Sequence, residues 1–398
     1  MRAAFFSDAA PGAVVGGGIV PQVRHCSDET VVLASLGITQ GRCPAPSFTL
    51  SFGSLLSRRL AFCYTVSMQY FSPAKVNLSL AVSDVRADGF HDLDSVVTLV
   101  TLGDDMYLEK AAETTLEIRS ETVDLSSMPA DIERNLAVRA VRLLEREVRR
   151  SLPTAIRIVK RIPLGGGLGG GSSNAATVLK GVNSLWELGI SVERLCELGA
   201  ELGSDVALFL LDGTVRMRGR GERVARLNLP DARPLSLVLV NDGTHCSTPQ
   251  VYRALDEARA VAGEITEKGL TNQGDFCNNL CLSLHKGEAK AVAEAVFNDL
   301  ESPCFRLFPR VRQTAEALKA AGCEGVLLCG SGATVCGITD SPEMGERVLA
   351  HPALQNCWRA SVQTLPDGVM AAHGPLTPIV MVRIHVGQPV CLQRLEQN

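Results

Sequence analysis

Residues 163–179 read PLGGGLGGGSSNAATVL. Six of these seventeen residues are glycine, crowded into positions 165–171. Glycine surrenders more backbone freedom on folding than any other residue, so the run is unsuited to a helix or strand interior. Its flanks are regular. Upstream, TAIRIVKRI (154–162) alternates like a half-buried strand. Downstream, Ala175, Ala176, Leu179, Val182, Leu185 and Trp186 share one helical face, and Gly189 offers a stop. Ser172, Ser173 and Asn174 stand where capping side chains belong. A glycine run between a strand and a helix is a poor flexible linker.

Two anion-binding loops fail on inspection. Gly165, Gly167 and Gly170 satisfy G-x-G-x-x-G, but in so dense a run the match is nearly automatic. A dinucleotide fold also needs a strand ending in an acidic residue roughly twenty positions on. Here LGISVERLCELGAELG (188–203) reads as a helix. A Walker loop needs a lysine before its Ser/Thr, and none precedes Ser172. General physics remains: glycines admit an anion close to the backbone, and loop N–H groups with the helix's positive end hold it. The hydroxyls of Ser172 and Ser173 could serve phosphate oxygens or a metal ion, and the cation must come from elsewhere.

The rest of the chain bounds the answer. At 398 residues it has material for two or three domains. A net charge of −4 argues against a general nucleic-acid binder, and 46% hydrophobic content suits an ordinary α/β protein. No apolar run approaches the ~20 residues that span a bilayer. Thirteen cysteines lack a paired rhythm, and Cys277 with Cys281 finds no second pair to complete a zinc site. Reduced thiols of a cytosolic chain are expected.

The two ends stand apart. Residues 1–67 hold five arginines, no lysine and three acidic residues. They are expected to be an extension without order, transit-like or not translated, the second being preferred because Met68 opens the first patterned segment. Cytoplasm is accordingly preferred over a plastid-like organelle. The tail 365–398 is rich in Pro, Gly and His, although PIVMVRIHV (378–386) could form a strand.

Between the ends, KVNLSLAV, SVVTLVTL and TLEIRS read as strands, with GDD (103–105) as a turn. Helical spacing runs from Ile132 to Arg150, and again from Ser191 to Leu202 before Gly203. A boundary falls near Pro230–Pro234, dividing 68–232 from 233–364. Beyond it come the strand LSLVLV, helices near 249–261, 287–300 and 309–321, and GVLLCGSGATVCGI (325–338) as two strands about a second glycine turn. The pattern predicts an α+β protein of two domains with a cleft between them.

At this point the chain resembles the GHMP kinase superfamily. PLGGGLGGGSSNAA is similar to its nucleotide loop, and SPAKVNLSLAV (72–82), RADGFHDLDSV (86–96), LGSDVALFL (202–210), NDLESP (298–303) and GSGAT (330–334) agree in order, over about residues 68–364. Within the superfamily the resemblance is nearest to the kinases of 4-diphosphocytidyl-2-C-methyl-D-erythritol in the non-mevalonate isoprenoid route. It implies a ribosomal-protein-S5-like N-terminal domain and a ferredoxin-like C-terminal domain.

It also implies roles. ATP would lie on Pro163, Leu164, Gly165, Gly166, Gly167, Leu168, Gly169, Gly170, Gly171, Ser172 and Ser173, with Mg2+ inferred from ATP chemistry and no ligands firmly assigned. Asp205, which by itself reads as a helix N-cap, would be the base for the acceptor hydroxyl. Lys75, by itself a solvated strand lysine, would lie beside Asp205 and offset charge on the transferring phosphoryl. Lys160 and Arg161 are alternative cations that otherwise read as exposed strand ends. His91 would contact the cytosine and Phe90, where tyrosine is common, would stack on it. Asn77, Gly330, Ser331 and Gly332 would face the substrate, and Asn135 would border the nucleotide. The partner is a small molecule, with neither nucleic acid nor membrane, and the protein a monomer or homodimer. A mevalonate or homoserine kinase, or a nucleotide-binding module with a dead site, are the alternatives.

Overall fold

The alternating segment around Lys75 is a strand, Cys63–Asn77, in the computed structural model, which describes residues 22–26, 29–35, 63–211, 213–229, 233–262, 269–286, 288–366 and 376–383. Most of the 1–67 extension and residues 384–398 of the tail lie outside the described residues. Within them, Gln22–Cys26 pairs antiparallel with Glu29–Ser35, which pairs antiparallel with Leu376–Arg383. The tail therefore holds the strand that its apolar run suggested. These strands belong to one compact unit, and residues Met68–Leu376 form another.

In the larger unit the hub is one long strand, His91–Lys110. Cys63–Asn77, Ser79–Val85, Thr154–Val159 and Val215–Gly219 all pair with it antiparallel. Thr115–Arg119 lies parallel beside Thr154–Val159, and Arg223–Arg226 antiparallel beside Val215–Gly219. The helices Leu136–Val148, Gly170–Leu185, Val192–Leu202 and Val206–Leu211 bury Val141, Leu144, Leu179, Leu198 and Leu208 in one core with Met106, Leu108, Ile156 and Ile158 of the strands.

A second sheet is antiparallel throughout, in the order Gly325–Leu328, Val335–Thr339, Ser236–Asn241, Trp358–Gln363. Its helices include Thr248–Ala262, Glu301–Leu307, Pro309–Ala320 and Pro342–Leu349. The two sheets share a core. Ala74, Val76 and Leu78 alternate along the first strand region into one cluster with Leu237, Leu239 and Ile338. Period two then sends Lys75 and Asn77 to the opposite face. The architecture is α+β, as expected.

Several local expectations fail for physical reasons. GDD is not a turn: His91–Lys110 runs straight through Gly103, Asp104 and Asp105, because buried partners satisfy Asp104. The 287–300 helix stops at Ala295, and Phe297–Asn298 pairs instead with Ser79–Leu80. The helix Gly269–Lys286 carries no clear sequence signal, since it is polar and holds two glycines. The 132–150 helix begins at Leu136, after a 3-10 turn, with Asn135 accepting from the Ala137 N–H. Among the described residues no helix is long and apolar enough to cross a membrane.

Gly181 marks where the helix Gly170–Leu185 meets the sheet: a Cβ there would run into Leu108 and lie 3.1 Å from the Tyr70 ring. Gly181→Val is expected to destabilise the protein by about 1–3 kcal/mol through overpacking. A lower urea midpoint at unchanged slope would show it, and an unchanged midpoint would contradict the packing.

Candidate active site

Lys75 is held at three points. Its backbone N–H donates to the carbonyl of Leu168 in the glycine loop at 3.0 Å. Its Nζ donates to Asn77 Oδ1 at 2.5 Å and lies 3.7 Å from Asp205 Oδ2. The strand register slips between Pro73 and Lys75, which frees that N–H from the ladder. The lysine side chain is 6% exposed and the aspartate 35%, so the cation is sheltered while the carboxylate opens outward. Asp205 stands just before the helix Val206–Leu211, at the cap position its sequence suggested.

Asn77, expected to face the substrate, already has partners within the protein. Its Oδ1 is taken by Lys75, and its Nδ2 donates to Ser95 Oγ at 2.9 Å. Ser95 in turn donates to the Ser79 carbonyl at 2.5 Å. The amide positions the lysine.

The glycine loop needs its glycines. Gly165, Gly167 and Gly169 have φ of +64°, +79° and +71°, the left-handed region that side chains disfavour. Gly169 caps the helix Gly170–Leu185 with no side-chain hydrogen bond, and a Cβ on it would meet the Lys75 stem at 3.0 Å. Ser172, Ser173 and Asn174 are therefore not the cap. Ser173 and Asn174 are buried and turned inward, where Ser173 Oγ lies 2.8 Å from Ser72 Oγ. The half-exposed Ser172 keeps its place at the helix start. Uncapped N–H groups at a helix start beside a bare backbone fit a triphosphate. Among the described residues no group of three His, Cys, Asp or Glu side chains could hold a metal ion.

Beneath the loop lies a network the sequence did not announce. Lys160 is buried and donates to Asp104 Oδ2 at 2.6 Å and to Asn174 Oδ1 at 3.3 Å. Asp104 also accepts the N–H groups of Arg161 and Ile162, at 2.8 and 3.0 Å, and Asn174 Nδ2 at 2.9 Å. Lys160 is thus an internal brace rather than an exposed strand end, while Arg161 reaches Asp105 at the surface.

The second glycine turn meets the first backbone to backbone. A Cβ on Gly167 would strike the Cys329 carbonyl, and Thr334 N–H donates to the Gly166 carbonyl at 3.3 Å. A Cβ on Gly330 would lie 3.6 Å from both Lys75 Nζ and Asn77 Oδ1. Asn298 holds this turn by donating to the carbonyls of Leu328 and Gly330 at 2.8 and 2.7 Å. Glu301 accepts the Leu328 N–H, and burial pushes its carboxyl above the usual range. Ser331 Oγ is 2.7 Å from Thr248 Oγ1.

His91 Nδ1 lies 2.8 Å from the Ser83 carbonyl and Nε2 3.6 Å from Asp256, and its ring centre is 5.2 Å from that of Tyr252. Tyr252, which the sequence did not single out, has its phenol pushed up to about 12, first by burial and then by the charge of Asp205. Phe90 is 49% exposed, and the Arg220 guanidinium covers its ring at 3.6 Å. Asn135 serves the helix it caps.

Comparison with known proteins assigns the class first. The family model for the GHMP kinases N terminal domain matches residues 135–213, and that for GHMP kinases C terminal matches residues 282–352. A 4-diphosphocytidyl-2-C-methyl-D-erythritol kinase of Shouchella clausii is 37% identical over 277 residues, covering 70% of this chain and 87% of that protein. One from Bacillus cereus (strain B4264) is 35% identical, covering 70% and 90%. A crystal structure of 4-(cytidine 5'-diphospho)-2C-methyl-D-erythritol kinase aligns with a TM-score of 0.59 at 31% identity, over 74% of this chain and 99% of that one. Homoserine kinase from Cytophaga hutchinsonii shares the fold, with a TM-score of 0.59 at 20% identity over 80% and 98%. The chain belongs to the 4-diphosphocytidyl-2-C-methyl-D-erythritol kinase family of GHMP kinases, and it is a phosphotransferase.

Asp104→Ala strands the buried Lys160 ammonium and is expected to cost about 3–5 kcal/mol. Replacing Lys160 by Met in the same chain should recover part of that loss, a coupling that chemical denaturation of the four proteins measures. Additive losses would contradict the brace.

Proposed function

We propose that the protein transfers the γ-phosphoryl group of ATP to the 2-hydroxyl of 4-diphosphocytidyl-2-C-methyl-D-erythritol, a step of the non-mevalonate route to isoprenoid precursors. The observation that carries this is the sheltered Lys75 beside the open Asp205, 3.7 Å apart, next to two abutting glycine turns.

ATP binds along residues 163–173, where the loop lets phosphate approach the backbone and the uncapped helix start donates N–H groups. The Ser172 hydroxyl and the phosphates would hold Mg2+, which supplies further neutralisation of phosphoryl charge. The acceptor hydroxyl sits on Asp205, whose carboxylate takes its proton as the oxygen attacks the γ-phosphorus. The bond from that phosphorus to the bridging oxygen breaks, and ADP leaves. Lys75 stabilises charge on the transferring group, and no covalent enzyme intermediate is needed. At the other end His91 and Tyr252 supply an edge and a face for the pyrimidine.

Residues 68–232 would form the nucleotide-binding half and 233–364 the other half of the cleft. Nine cysteines, from Cys196 to Cys357, are free thiols, which suits a reducing cytoplasm.

Asp205→Ala is expected to lower turnover by about 10²–10⁴-fold while ATP still binds. Coupled ADP release, with and without the cytidyl substrate, measures both the activity and the loss. ADP release that ignores the cytidyl compound in the wild-type enzyme, or full activity in Asp205→Ala, would overturn the assignment.

A further inference from the structure

We propose that Arg220 is the cation that holds the linking diphosphate of the nucleotide-conjugated substrate, an inference that rests on the substrate class proposed above. Arg220 occupies the turn between the strands Val215–Gly219 and Arg223–Arg226. Its neighbours Gly219 and Gly221 have φ of +70° and +102°, so the chain reverses tightly and presents the arginine outward. The Arg220 N–H donates to the Glu222 carboxylate at 2.6 Å, which fixes the turn.

The residue stands between the two ends of the site. On one side, a Cβ on Gly221 would lie 3.2 Å from the Cβ of Ser204, the residue before Asp205. On the other, the guanidinium lies 3.6 Å from the centre of the Phe90 ring, next to His91. The proposed substrate has the same layout. Its base lies at one end, its acceptor hydroxyl at the other, and its diphosphate joins them.

Charge points the same way. Arg86 is matched by Asp88 and Asp92, Arg216 and Arg218 by Asp94, and Lys75 by Asp205. Among the described residues the Arg220 guanidinium has no carboxylate within 4.0 Å. A guanidinium stacked on a ring keeps its edge N–H groups free, and their fork matches two phosphate oxygens.

Calorimetric titration with cytidine and with cytidine 5'-diphosphate separates the possibilities. Arg220→Ala and Arg220→Met are expected to weaken cytidine 5'-diphosphate by about tenfold or more and to leave cytidine unchanged. Arg220→Lys should fall between, and the salt dependence of diphosphate binding should diminish in the uncharged variants. In turnover the loss should sit in KM for the cytidyl substrate rather than in kcat or KM for ATP. Equal weakening of both probes would assign Arg220 to orienting the Phe90 ring and overturn the proposal, as would no change in either. Failure of the wild-type protein to bind cytidine 5'-diphosphate would contradict the substrate class itself, and this proposal with it.

Discussion

A buried ammonium is costly unless partnered, and the way Lys75 is partnered organises the site. One residue ties three separate pieces of chain together. Its backbone N–H fixes the glycine loop through Leu168, and its Nζ bridges Asn77 on its own strand to Asp205 some 130 positions later. The slip of register between Pro73 and Lys75 makes this possible, because an N–H committed to the sheet could not reach the loop. The glycine loop carries no cation of its own, and the fold supplies one from the first patterned strand of the sheet.

The second constraint is closeness of backbones. The loop and the Gly330–Gly332 turn meet where a single added carbon on Gly167 would collide with the Cys329 carbonyl. Such contact fixes position without side chains, leaving peptide N–H groups as the donors at the surface. Both turns are braced from below, one by Asp104, Lys160 and Asn174, the other by Asn298 and Glu301. Asp104, Lys160, Asn174 and Asn298 are buried and hydrogen-bonded, as preorganised donors require.

Much of this was legible because it follows from period and punctuation. The strand before the loop, the amphipathic helix after it, the Ser191–Gly203 helix and the paired strands around the second turn all came from spacing and stops. What stayed hidden depends on distant partners. GDD looks like a solvated turn until Lys160, 56 residues away, neutralises Asp104. Ser173 and Asn174 look like caps until Ser72, about a hundred residues earlier, draws them inward. Tyr252 reads as an ordinary helical aromatic, and only the fold brings it beside His91 and the field of Asp205. Arg220 gives no periodic signal at all, since its significance lies in what stands on either side of one turn.

The claim at the centre is that Lys75 and Asp205 act as one catalytic unit. The direct test is kcat/KM for the cytidyl substrate in Lys75→Met, Asp205→Asn and the double variant. A unit predicts that the second substitution adds little to the first. Losses that multiply fully, or a Lys75→Met enzyme close to wild type, would contradict it.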